Sequence, residues 1–271
     1  MKKLLTILLS VVLCAGFVFG LAACSNNTKY VAKAITTAES EQYGFAVGKN
    51  STKKAEIIAA MNEVISETNI DDAVDYYTSL SKDETPTKTL EFADLSDNTA
   101  GTLNVYTCSG FEPYEFVDAD NKVIGVDVYL MELVCEKLNM KINVLDVDFD
   151  GICGKVASEN NAVGAAGITI TEDRKLTVEF SNPYFSSVQY IISAEDQAYT
   201  ELSQLAGKKI AVQKGTTGAL LVADEIEKGS LKDTGATIIE YDTGAVAFTA
   251  MKQGKCDFIV IDELPALKLV G

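Results

Sequence analysis

Of the 23 Lys and Arg residues in this 271-residue chain, only Arg174 is an arginine. A guanidinium meets a carboxylate with two parallel N–H bonds, a geometry that an ammonium cannot copy. Arg174 closes the run Gly167-Ile168-Thr169-Ile170-Thr171-Glu172-Asp173-Arg174, which follows an apolar stretch that reads as a buried strand. Ligand sites in α/β folds gather beyond the C-terminal ends of strands. Thr169 and the backbone of Gly167 are therefore placed to bond the same anion, and an incidental surface arginine is the plain alternative. A second candidate is Gln213-Lys214-Gly215-Thr216-Thr217-Gly218, where a strand runs into a helix. The free N–H groups and hydroxyls of a helix start suit an anion. An ordinary N-cap by Thr216 or Thr217 accounts for the same residues, and a phosphate loop does not, because the Lys precedes the Gly. Third, the strand Phe258–Ile261 leads into Asp262-Glu263-Leu264-Pro265. Asp262 can pair with an ammonium or cap the helix that begins near Pro265. Phe111, Pro113, Tyr114 and Phe149 follow strands and either flank a ligand or belong to the core. Anion donors, an acid for an ammonium and two aromatic walls together describe a receptor for a zwitterion, a small amino acid.

Composition removes other chemistries. The chain has no His and no Trp, which excludes Ser-His-Asp triads, His-based proton transfer and most zinc sites. The acidic run Asp146–Asp150 lacks the spacing of a calcium loop, so neither metal nor cofactor is expected, and the chain reads as a binder rather than an enzyme. A net charge of −16 opposes nucleic acid, whose binding rests on neutralising phosphates. Cys108, Cys135, Cys153 and Cys256 lie in apolar stretches without a CxxC pair, and either two disulfides or buried free thiols fit.

The N-terminus carries an address. Lys2 and Lys3 precede an apolar run from Leu4 to Phe19 and then Leu21-Ala22-Ala23-Cys24, the layout of a secretory signal. The run is short for a membrane span. Leu-Ala-Ala-Cys resembles the lipobox of bacterial lipoproteins, which implies residues 1–23 as signal peptide, Cys24 as the acylated anchor to the membrane, and 24–29 as a tether outside the cytoplasm.

Strand and helix signals alternate over 103–271, which predicts parallel sheets with helices on both faces. The expected order is strand Leu103–Tyr106, helix Val126–Leu138, strand Lys141–Leu145, helix Gly151–Ala157, strand Ala162–Ile168 and strand Val188–Ser193. The pattern then restarts as strand Lys209–Val212, helix Thr217–Ile226, strand Thr237–Tyr241, helix Ala245–Gln253 and strand Phe258–Ile261. Two lobes are expected, 101–193 and 194–271. Ahead of them, Tyr43–Val47 reads as a strand, Ser51 caps a helix through Thr68, and Asp71 or Asp72 opens another through Leu80. Residues 81–100 have the polar composition of a linker.

Several stretches resemble one family, the two-lobed amino-acid-binding receptors of bacterial ABC importers. They are Gly110-Phe111-Glu112-Pro113-Tyr114-Glu115-Phe116, Gly125-Val126-Asp127-Val128, Asp148-Phe149-Asp150-Gly151, 167–174, Phe180-Ser181-Asn182-Pro183-Tyr184, 212–218 and 261–266. The resemblance implies a type II periplasmic-binding-protein fold, a monomer that delivers its ligand to an ABC transporter permease. It also implies that Arg174, Thr169 and Gly167 hold the ligand α-carboxylate, with Gln213, Thr216 and Thr217 in the facing lobe. Asp262 would hold the α-ammonium, and Phe111 and Phe149 would sandwich the side chain. Cys108 stands where relatives read the side chain, which leaves polar, cationic and sulfur-containing amino acids open. In the family a return strand and two helices follow the second lobe. Here residues 30–80 resemble that part, so the chain reads as a circular permutant with 81–100 joining the family's usual ends and crossings between lobes near Ile191–Ala194 and Glu39–Tyr43. Its rivals are a fragment carrying a fused front segment, a sensor without a transporter, and a dehydratase-like enzyme on the same fold.

Overall fold

The computed structural model of the protein describes residues 28–271; the signal sequence and the lipidation expected at Cys24 lie outside the described residues. In chain order come β1 (Tyr30–Ala34), β2 (Glu41–Tyr43), β3 (Ala46–Gly48), α1 (Lys54–Glu67) and α2 (Ile70–Ser81). Next are β4 (Thr102–Thr107), β5 (Phe116–Val117), β6 (Val123–Ile124), α3 (Val126–Lys137), β7 (Lys141–Asp146), α4 (Ile152–Ser158), β8 (Ala162–Gly164) and α5 (Glu172–Lys175). β9 (Val178–Phe180), β10 (Phe185–Ser187) and β11 (Gln189–Ala194) follow. The chain then runs through β12 (Lys209–Gln213), α6 (Thr217–Glu227), β13 (Thr237–Tyr241), α7 (Gly244–Lys252), β14 (Phe258–Asp262) and α8 (Glu263–Val270).

Two mixed sheets organise these elements, in the orders β7-β4-β8-β3-β9 and β1-β11-β14-β12-β13. β4 runs parallel to β7 and β8, and β12 runs parallel to β13 and β14. A short ribbon connects the lobes, with β10 antiparallel to β2 so that Phe185 faces Tyr43 and Ser187 faces Glu41. The chain passes between sheets at these two strands. The crossing expected near Ile191–Ala194 therefore lies earlier, at Phe185–Ser187, and the boundary drawn at 193/194 moves with it, because β11 is fastened between β14 and β1 of the second sheet. β1 also belongs to the second sheet, so of residues 30–80 only the part beyond β2 builds the first lobe.

That part sits deep. β3 is hydrogen-bonded between β8 and β9, and α1 buries Ile57, Ala60, Met61 and Val64, the three-and-four spacing of one helical face. The expected strand Tyr43–Val47 divides at Gly44, whose N–H bonds to Ile168 O rather than to a ladder partner. Ser51 does not cap α1; its hydroxyl reaches Asn160 O, and the helix opens at Lys54. α2 is capped by Asn69, which accepts from Asp72 N, while Asp71 and Asp72 occupy the first turn where negative charge complements the helix dipole. Residues 82–101 form neither helix nor strand, yet they are anchored: Asn98 Nδ2 donates to Met140 O at 2.8 Å and Phe92 packs edge-on against Tyr76 and Tyr129. The four cysteines of the described residues are free thiols, which corrects the disulfide alternative. Burial pushes Cys135 up to about 12 and Cys108 and Cys256 up to about 11.

Candidate ligand site between the lobes

The site lies beyond the C-terminal ends of the parallel strands, as α/β topology favours. Phe111 follows β4 and Phe149 opens a single 3-10 turn after β7. Gly167 and Thr169 follow β8, Arg174 stands on α5, Gln213 ends β12 and Asp262 ends β14. The strand expected over Ala162–Ile168 stops at Gly164. The chain then bends through Gly167, at φ +54°, where a Cβ would come within 2.6 Å of the Phe111 ring. Only glycine meets both conditions.

Phe111, Phe149, Gly167, Thr169, Gln213, Thr216 and Asp262 line one small cavity of about 10 Å³, together with Ala166 and Glu115. Arg174 and Thr217 stand outside that lining. The Arg174 guanidinium packs over the Phe149 ring at 5.2 Å, donating Nη1 to Thr169 O at 2.7 Å and Nη2 to Gly215 O at 3.1 Å. It thus ties its own loop to the facing lobe. Burial lowers its pKa, against the opposing influence of Cys153, Glu41 and Asp262. Thr217 turns toward Glu41 on the side of the connecting ribbon. Gly167 N–H already donates to Asp127 at 2.9 Å, so its carbonyl is the backbone group left for a ligand. Thr216 caps α6, accepting from Ala219 N and donating to Gln213 O at 2.7 Å.

The lobes touch across the cavity. Besides Arg174 and Gly215, Lys214 pairs with Asp150 at 2.7 Å and Gln213 Nε2 approaches Cys108 Sγ at 3.6 Å. Gly215 (φ +75°) leaves no room for a side chain, since a Cβ would meet that of Asp150 at 2.7 Å.

Three acceptors in the lining have no partner: both carboxylate oxygens of Glu115 and Oε1 of Gln213. Glu115 is 1% exposed; burial first, then the charge of Asp127, pushes its carboxyl well above the usual range. An orphaned buried acceptor is costly, so this cavity calls for donors. Within Gly110–Phe116 the sequence assigns Glu115 no role of its own; an acid amid Pro-Tyr and Phe is the available signal. Asp262, also in the lining, accepts from Tyr43 Oη at 2.6 Å. Burial, aided by Glu41, raises it to about 6. Its side chain makes no cap bond to α8, so the capping alternative is not realised.

The chain matches the family model of bacterial extracellular solute-binding proteins, family 3, over residues 103–236. It is 30% identical over 178 residues to a probable histidine-binding protein of Campylobacter jejuni, covering 65% of this chain and 66% of that one. It is 24% identical over 163 residues to the ABC transporter arginine-binding protein 1 of Escherichia coli (strain K12), covering 60% and 64%. The chain thus spans just under two thirds of these two relatives. Among solved structures, an ancestral arginine-binding protein bound to arginine superposes with a TM-score of 0.59 at 36% identity, over 63% of this chain and 74% of that one.

Proposed function

The chain belongs to the bacterial extracellular solute-binding proteins of family 3, and on that premise we propose that it captures a cationic amino acid between its lobes and hands it, unaltered, to an ABC importer. The unpartnered acceptors of Glu115 and Gln213 carry this reading. A guanidinium brings five donors in a planar fork, and the faces of Phe111 and Phe149 favour a cation between them. Asp262 takes the α-ammonium, and Arg174 with the neighbouring threonines stands at the carboxylate end. Two of the relatives described above are named as arginine-binding proteins. Ligand contacts on both lobes stabilise the closed form by differential affinity.

The test is a melting-shift panel on residues 28–271, unfolded and refolded to strip ligand. Arginine, lysine or histidine should raise the midpoint, by about 2.7 kcal/mol of stability at 100 times the dissociation constant. A panel in which glutamine or cystine alone responds would overturn the cationic assignment. No response to any amino acid would overturn the receptor.

We also propose that the front segment is the closing part of a permuted chain, anchored outside the cytoplasm by lipid on Cys24, with the second lobe nearest the membrane. Among the described residues no helix is long and apolar enough to cross a membrane. Supporting permutation, β3 fills an interior place in the first sheet, between β8 and β9, and α8 packs against β1, so the two ends to be joined share a lobe. A reordered chain, 101–271 joined to 28–80 by a short flexible linker, should melt cooperatively and bind the same ligand. If 101–271 alone did both, the front segment would be dispensable and the idea lost.

A further inference from the structure

Glu41 occupies the connecting ribbon, and its carboxylate is gripped from both lobes. Oε2 accepts from Thr169 Oγ1 at 2.7 Å and from Thr217 Oγ1 at 2.5 Å. Oε1 accepts from Gln189 Nε2 at 3.2 Å. Thr169 belongs to the first lobe; Thr217, on α6, and Gln189, on β11, belong to the second. A hydroxyl has one proton to donate. With those of Thr169 and Thr217 given to Glu41, and that of Thr216 given to Gln213 O, no threonine hydroxyl of the group is left to donate to a second carboxylate. The Arg174 guanidinium also directs two N–H groups at backbone carbonyls.

We propose that Glu41 is a built-in surrogate for the ligand α-carboxylate: it ties the lobes together when no ligand is bound, and it lets the site accept cationic ligands that lack a free carboxylate, such as α-amides and decarboxylated amines. This rests on reading the site as a receptor for a cationic amino acid. A free amino acid has to displace Glu41 from Thr169 and Thr217 before its own carboxylate can use those hydroxyls. An amide does not, since Glu41 stays and the ligand needs only Asp262 and Glu115. The surrogate therefore narrows the preference for acid over amide that a carboxylate site would otherwise show. A Glu41 that merely braced the ribbon would weaken both ligands alike when removed.

The experiment compares residues 28–271 with Glu41→Ala, by calorimetry with L-arginine and L-argininamide near pH 6.5, where both α-amines are largely protonated. The preference for arginine over the amide should rise about tenfold in the variant, the equivalent of one charge-assisted hydrogen bond. Small-angle scattering of the ligand-free proteins supplies a readout that needs no ligand: the variant should have the larger radius of gyration. An unchanged or reduced preference overturns the surrogate, as does an unchanged radius. If the parent protein bound neither compound, the receptor reading would fail, and the scattering comparison would still decide whether Glu41 ties the lobes.

Discussion

Glu115→Gln should weaken arginine by about 2 kcal/mol or more, roughly thirtyfold, the scale for breaking a buried charge pair. A neutral ligand such as glutamine should change only a few-fold. Glu115 is almost wholly enclosed and neither carboxylate oxygen has a partner, and burial pushes its carboxyl well above the usual range. A guanidinium entering the cavity supplies the missing donors and a compensating charge, which restores the carboxylate. Glutamine keeps the side-chain length and one acceptor but not the charge. Because an unpartnered acid is replaced by a neutral amide, the ligand-free variant should melt no lower than the parent. Lost affinity without lost stability separates recognition from damage to the fold. Calorimetric titration with both ligands measures the two affinities directly, and equal affinities for arginine in parent and variant would place its side chain elsewhere.

Much of this site was legible because α/β folds gather ligand residues at strand ends, and strand ends can be read from apolar runs followed by Gly, Thr and Asp. Arg174 was conspicuous by being alone. Glu115 and Glu41 were not, since each acquires its role only through packing. Glu115 looks like an ordinary loop acid until Phe111, Gly167 and Gln213 close over it. Glu41 meets residues 128 and 176 positions away, a distance over which one sequence carries no pairing signal. The same limit hid the place of β11: the apolar run Tyr190-Ile191-Ile192 announces a buried strand, but which sheet it joins depends on pairing with β14 and β1. β1 has no alternation to betray it, because it is an edge strand with β11 alongside and α8 packed against it. The Arg174 bonds to Thr169 O and Gly215 O were hidden for a similar reason. A guanidinium suits carbonyls and carboxylates alike, and only the facing lobe reveals which is within reach.

Ligand affinity should climb as pH rises from about 5 to about 8, and for arginine more steeply than for glutamine. Burial raises Asp262 to about 6, while an ammonium beside it requires the ionised form. Below that pH the ligand has to expel a proton, which weakens binding by roughly tenfold per pH unit. Glu115, raised further by burial, adds a second proton for a cationic side chain and none for a neutral one. Arginine should therefore release more protons than glutamine, measured as the dependence of binding heat on the ionisation enthalpy of the buffer; equal release would sink the pairing of Glu115 with the side chain. Stability should run the other way. Asp127 is buried behind Gly167, bonded to Tyr184 Oη at 2.6 Å, and burial raises it to about 7. A carboxyl whose folded pKa is raised contributes stability that is complete below its unfolded pKa, near 4, and is lost as pH climbs through the folded value. Asp127, Asp262 and Glu115 all have this sign, so the ligand-free melting midpoint should fall between about pH 5 and about pH 8. Bound arginine should remove the share of Asp262 and Glu115, which it contacts, and leave that of Asp127, whose oxygens are engaged by Tyr184 and Gly167. A ligand-free midpoint that instead rose over this interval would mean that folding lowers the pKa of these carboxyls rather than raising it.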